Sequence, residues 1–157
     1  MNEQEITNYV LSLIPKEEKD RVFKQEYCAI GTDFIGFMET YYYLSKIIPK
    51  EYTVYDFGCA YNPQCYLFQD HAKFIAVNPE EIDGKEVFKA PNCDFYRMTT
   101  KQFLEDIYER KEKEFAICNY VPNWCKERSI DLVKLNFQNC YTFYPSSLWK
   151  IKSNLRK

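Results

Sequence analysis

Asp56, Gly58, Asn62, Asn78, Asn119 and Tyr120 combine residue types and spacings that suit the binding of a small polar ligand. Thr53-Val54-Tyr55-Asp56-Phe57 is a β-branched and aromatic run, which predicts a buried strand. A tight segment follows, Gly58-Cys59-Ala60-Tyr61-Asn62. Gly58 lets a ligand approach the backbone where a Cβ would collide. Asn62-Pro63 reads as a helix start, with Asn as N-cap and Pro in the first helical position. Cys65, Leu67 and Phe68 give that helix an apolar side. Its N-terminus offers N–H groups and a positive dipole end to a carboxylate or phosphate. Lys73-Phe74-Ile75-Ala76-Val77 predicts a second strand, closing a βαβ unit. The architectural alternative is that Asp56 caps the loop and Asn62 the helix.

Asp56-x-Gly58-x-Ala60-x-Asn62 at the end of a first strand resembles motif I of the class I S-adenosylmethionine-dependent methyltransferases, commonly Asp/Glu-x-Gly-x-Gly-x-Gly. Val77-Asn78-Pro79-Glu80 resembles their second-strand end, where an acid usually holds the cofactor ribose. By element order the resemblance runs from Val54 to Tyr144, and its specific part is Asp56–Glu80. Ala60 and Asn62 replace the second and third glycines, and Asn78 replaces the acid. The resemblance implies that Asp56 lies near the methionine amine and that Gly58, Cys59, Ala60, Tyr61 and Asn62 cradle the methionine end. It also implies that Asn78 meets the ribose, Met98 and Thr99 border the adenine, and Asn119 and Tyr120 face the methyl acceptor. Asn119-Tyr120-Val121-Pro122 loosely echoes the Asn-Pro-Pro-aromatic loop of amino-methylating members; a turn with a packed Trp124 is the alternative.

Composition narrows the field. The chain of 157 residues has a single domain's length, is 46% hydrophobic and carries a net charge of -2. It holds 14 Tyr and 12 Phe, so ring packing should fill much of the core. No overall basic field marks nucleic acid as a partner. Lys150, Lys152, Arg156 and Lys157 make a short basic tail that either frays in solvent or touches phosphate. No apolar run reaches membrane-spanning length, and Met-Asn-Glu-Gln-Glu lacks signal-peptide character, so no membrane association and a cytoplasmic location are expected. Seven scattered cysteines without a CxxC pair read as buried reduced thiols, and a lone histidine, His71, reads as a solvent-facing loop residue.

The remaining segments must position the loop. Ile6, Tyr9, Val10 and Leu13 form one stripe of a helix over 2–14. Lys16 to Asp20 reads as a charged connector, and Arg21 to Ala29 as a second helix or an extended cover. Thr32-Asp33 caps a helix over 34–47. Residues 92–97 predict a third strand, and Thr99-Thr100-Lys101-Gln102 is a capping box for a helix to Lys111 with Phe103, Leu104, Ile107 and Tyr108 inward. A fourth strand over 114–120, a short helix over 130–135 and a fifth strand over 139–144 complete the pattern.

Alternation of strands and helices predicts an α/β, Rossmann-like parallel sheet of about five strands. The resemblance adds the order 3-2-1-4-5 and implies that the family's C-terminal hairpin is missing. It gives a single methyltransferase-like domain over 1–157: a helical cover at 1–50, an α/β core at 51–145 and the basic tail at 146–157. The expected function is S-adenosylmethionine binding with methyl transfer to an unknown acceptor. The alternative is a catalytically inactive methyltransferase-fold protein that binds or inhibits a protein partner through aromatic flanks such as Tyr41 to Tyr43 and Trp124. A nucleotide or dinucleotide binder is the weakest reading, because the loop has one glycine and a pyrophosphate turn usually needs more.

Overall fold

Thr53–Phe57 forms the central strand, β1, and all of its residues are buried. The computed structural model describes residues 1–23, 32–78, 86–119 and 129–143. Ahead of β1 come three helices: α1 (Glu3–Leu13), α2 (Lys16–Phe23) and α3 (Thr32–Ile47). After it come a 3-10 helix (Pro63–Phe68), β2 (Lys73–Asn78), β3 (Cys93–Arg97) and α4 (Thr100–Asp106). The described part ends with β4 (Glu114–Asn119), α5 (Ser129–Asn136) and β5 (Cys140–Phe143). The five strands lie in the order β3-β2-β1-β4-β5, and every neighbouring pair is parallel.

Both faces of the sheet are covered, as a parallel sheet requires. Alternation along β1 sends Val54 to one face and Tyr55 and Phe57 to the other. The first face packs Val54, Phe74, Ala76 and Ile117 against Ile6, Val10, Met38 and Tyr41 of the N-terminal helices and Phe68 of the 3-10 helix. The second packs Tyr55, Phe57, Val77 and Cys118 against Phe103 of α4 and Val133 of α5. Rings dominate this second face: Phe103 lies 5.7 Å from Phe57, 6.1 Å from Tyr55 and 5.3 Å from Tyr96.

Several local expectations change. The β1–β2 crossover is no amphipathic α-helix; it is one 3-10 segment with all six residues buried. Asn62 does not cap it, because its backbone is left-handed (φ 69°, ψ 27°) and its side chain makes no capping bond. The cover that a longer crossover would supply comes from α1 and α3, which pack against each other and on the 3-10 segment. Lys16 to Asp20 is helical, with Glu17 and Glu18 favouring the positive end of α2. Helix α4 stops at Asp106, leaving Ile107 exposed. The cap read at Thr99 forms, accepting from the Gln102 amide, and Asn2, not read as a cap, accepts from the Glu5 amide at the start of α1.

His71 is buried, with its Nε2 2.9 Å from the Ile48 carbonyl and its ring 5.1 Å from Phe68. Burial lowers its pKa. Tyr41 is buried too, whereas Tyr43 is exposed. Cys59, Cys65, Cys93 and Cys118 are buried and in no disulfide, as composition implied, whereas Cys140 is only half-buried; Cys28 and Cys125 lie outside the described residues. No helix among the described residues is long and apolar enough to cross a membrane.

Phe103→Ala empties the middle of the second ring cluster. It should lower the unfolding free energy by about 3–5 kcal/mol, read from urea titration, whereas Lys101→Ala on the exposed side of the same helix should change it little.

Candidate functional site

The pairing register builds the site. Phe57 of β1 lies beside Val77 of β2 and Cys118 of β4. The next residues, Gly58, Asn78 and Asn119, therefore form a row at the carboxyl edge. Adjacent strands lie about 4.8 Å apart, so the row spans roughly 10 Å. Asn78 in turn pairs with Arg97 of β3, which brings Met98 and Thr99 to the same edge two strands from Gly58. In open α/β sheets ligands bind at this edge, where successive connections leave in opposite directions. Tyr120 and Trp124 lie outside the described residues.

The loop Gly58–Asn62 is bent by three positive φ angles: Gly58 at 90°, Ala60 at 52° and Asn62 at 69°. Its amides are tied down. Those of Gly58 and Cys59 both donate to the Val77 carbonyl, at 2.8 and 3.4 Å, and that of Asn62 to the Cys59 carbonyl at 3.0 Å. The Ala60 amide donates to Asn78 Oδ1 at 2.9 Å. Asn78 is thus a buried brace for the loop, and its carbonyl oxygen already holds one hydrogen bond. Ala60 is exposed at the tip, while Cys59 and Tyr61 are buried.

Asp56 sits one residue before the row and is fully buried. Its carboxyl oxygens accept from Tyr41 Oη of α3 at 2.9 Å and from Gln64 Nε2 at 2.8 Å. The same Gln64 nitrogen donates to the Cys59 carbonyl at 2.9 Å, so one amide joins the acid to the loop. Burial pushes the Asp56 pKa up to about 7, against the pull of the two hydrogen bonds. Burial, and then the neighbouring Asp56, raises the pKa values of Tyr41 and Cys59 as well. The floor beneath the loop is therefore sparing of charge.

Asn62 points into the protein. Its Nδ2 donates to the Phe88 carbonyl at 3.0 Å and to Cys93 Sγ at 3.3 Å, and its Oδ1 meets no partner among the described residues. Met98 packs on the second core, and Thr99 caps α4.

Tyr41 and Gln64 are functional neighbours that sequence reasoning missed. Tyr41 reads as one more ring of an apolar stripe. Gln64 carried a usable signal, because it follows Pro63 inside an apolar run next to a strand holding an acid that must find donors. For S-adenosylmethionine the fit is divided. The half-buried Gly58 with no Cβ, the exposed Ala60 and the row suit it, while Asp56, Asn62, Asn78 and the amides of Gly58, Cys59 and Ala60 are engaged inside the protein. Compared with models of known protein families, with curated proteins and with solved structures, the chain matches none of them.

Two outcomes follow for stability. An acid whose folded pKa lies above its unfolded value loses stability as pH rises from about 4 to about 7. The Asp56→Asn variant lacks this slope, so it should gain on wild type by something on the order of 4 kcal/mol across that window. His71 contributes equally to both proteins and cancels. Urea unfolding at pH 4, 5.5 and 7 measures the difference, and a constant gap would refute the burial argument. Ala60→Gly relieves a left-handed alanine and should raise the unfolding free energy by up to about 1 kcal/mol.

Proposed function

We propose that this chain binds S-adenosylmethionine at the carboxyl edge of its sheet and passes the methyl group to an acceptor met beyond β4. The observation that carries the reading is the row of Gly58, Asn78 and Asn119, set by register on adjacent parallel strands. In this reading the loop backbone from Gly58 to Asn62 holds the methionine end. Asp56 acts through Gln64 to keep that backbone in place. Asn78 meets the ribose, Met98 and Thr99 flank the adenine, and Asn119 with Tyr120 orients the acceptor. Methyl transfer from a sulfonium is an in-line displacement that needs positioning more than acid or base, so a floor sparing of charge is compatible with it.

A second reading is favoured by the engagement of Asp56, Asn62 and Asn78 within the protein: a methyltransferase-fold module that binds a protein partner without turnover. Tyr9, Tyr43 and Ile47, 38%, 50% and 70% exposed, give α1 and α3 an outward apolar surface for it.

Calorimetric titration separates the two. The first reading expects micromolar binding of S-adenosylmethionine, weakened at least about tenfold by Gly58→Val, whose Cβ cannot tolerate φ 90°. Circular dichroism must show that variant folded. Silent titrations of folded wild type with both S-adenosylmethionine and S-adenosylhomocysteine would leave the module.

A further inference from the structure

Residues 86–90, just ahead of β3, belong to no helix or strand, yet their backbone is bonded on two sides like a strap. Towards the edge loop, the Phe88 amide donates to the Tyr61 carbonyl at 2.8 Å, and the Phe88 carbonyl accepts from Asn62 Nδ2 at 3.0 Å. Towards α2, the Val87 carbonyl accepts from Arg21 Nη2 at 2.7 Å, and the Lys89 amide donates to Glu18 Oε2 at 3.3 Å. Arg21 ties this second side together. Its Nη2 also donates to the same Glu18 oxygen, at 2.8 Å, and its Nη1 donates to Glu86 Oε2. One guanidinium thus grips a carboxylate of its own helix, a carboxylate of the strap and a carbonyl of the strap, which the point charge of a lysine cannot do at once. Packing does not call for this. Val87, Phe88 and Ala90 are buried and hold the strap on the core, but apolar contact is non-directional and does not fix where the carbonyls point.

We propose that Arg21 is a latch that sets the far end of the edge loop through this strap. The path runs from the guanidinium to the Val87 carbonyl, through the two peptide groups of Phe88, to Tyr61 and Asn62, the last two residues of the loop. Asn62 has a left-handed backbone, and its side chain makes no capping bond to the 3-10 segment that follows. Its inward turn therefore rests on the Phe88 carbonyl and Cys93 Sγ. With the latch closed, the strap presents Phe88 at a fixed depth and the loop end is held. With the latch released, Tyr61 and Asn62 lose a fixed partner and that end loosens. The near end does not, because the amides of Gly58 and Cys59 are tied to the Val77 carbonyl of β2. The Arg21 side chain is 38% exposed, so dissolved ions reach the latch and salt weakens it. Arg21 touches nothing at the edge; it is a positioning residue.

The latch can be tested without any ligand, so failure of the proposed function leaves it standing. Amide hydrogen exchange of the full chain is followed residue by residue by NMR. Arg21→Ala should speed exchange at Phe88, Lys89 and Asn62 by about tenfold or more through local opening. The amides of Gly58 and of β4 should keep their wild-type rates. Arg21→Lys, which keeps the charge and loses the fork, should fall between the two. Sodium chloride at about 1 M, where the Debye length is about 3 Å, should speed the same three amides in the wild type and change Arg21→Ala less. The salt series on the wild type stands even if a variant fails to fold. The proposal is overturned if Phe88 and Lys89 loosen while Asn62 keeps its rate, because the strap then does not set the loop. It is equally overturned if no rate changes, or if Gly58 and β4 speed up in step with Asn62, because Arg21 then adds only general stability.

Discussion

A carboxyl group with no access to water, set in the middle strand of an apolar sheet, is the constraint that the surrounding layer answers. Leaving Asp56 without donors would cost several kcal/mol. Tyr41 and Gln64 supply them, and each has a structural consequence. Tyr41 pins α3 over the carboxyl end of β1. Gln64 draws the start of the β1–β2 connection inward, which a 3-10 segment buried on all sides accomplishes and an amphipathic α-helix lying on the sheet would not. The bend of the loop follows, because Gln64 holds the Cys59 carbonyl while Asn78 holds the Ala60 amide.

The sheet was legible because its signal is local. Val54, Phe74 and Ile117 sit in short β-branched or aromatic runs, each ended by glycine or asparagine, and the strand order came with the resemblance at Asp56–Glu80. What failed to show depends on partners far apart in the chain. The hydrophobic pattern of 63–68 suits a helix with one apolar side, but nothing in it says that α1 and α3 will cover the other side as well. His71 looks like a connector residue, yet the end of α3 meets it through the Ile48 carbonyl. At the site, the sequence marked Gly58, Asn62 and Asn78 by type alone. It could not say that Asn62 turns towards Phe88 and Cys93 rather than outward, since that choice is set by the left-handed backbone and by a segment 26 residues away.

The edge and its support have different demands. A ligand at the row would meet mostly backbone and amide groups, whose hydrogen-bonding capacity changes little with pH. Beneath it lies a group that does respond to its surroundings, a carboxyl poised near neutrality. It reaches the loop through a single amide side chain, that of Gln64, while Asn62 anchors the end of the loop on the Phe88 carbonyl and Cys93 Sγ. The loop is thus set from below, and its shape can be tuned without altering any group on the edge itself.

The two covers of the sheet also differ in origin. Helices α4 and α5 each lie between the strands they help to join, so the second face is closed by connections of the sheet itself. On the first face, α1, α2 and α3 precede every strand and join none. They hold the sheet through Tyr41 on Asp56, through packing on the 3-10 segment, and through Arg21 and Glu18 on the segment before β3. The face that covers Asp56 is therefore closed largely by chain that enters before the first strand, through Tyr41 of α3.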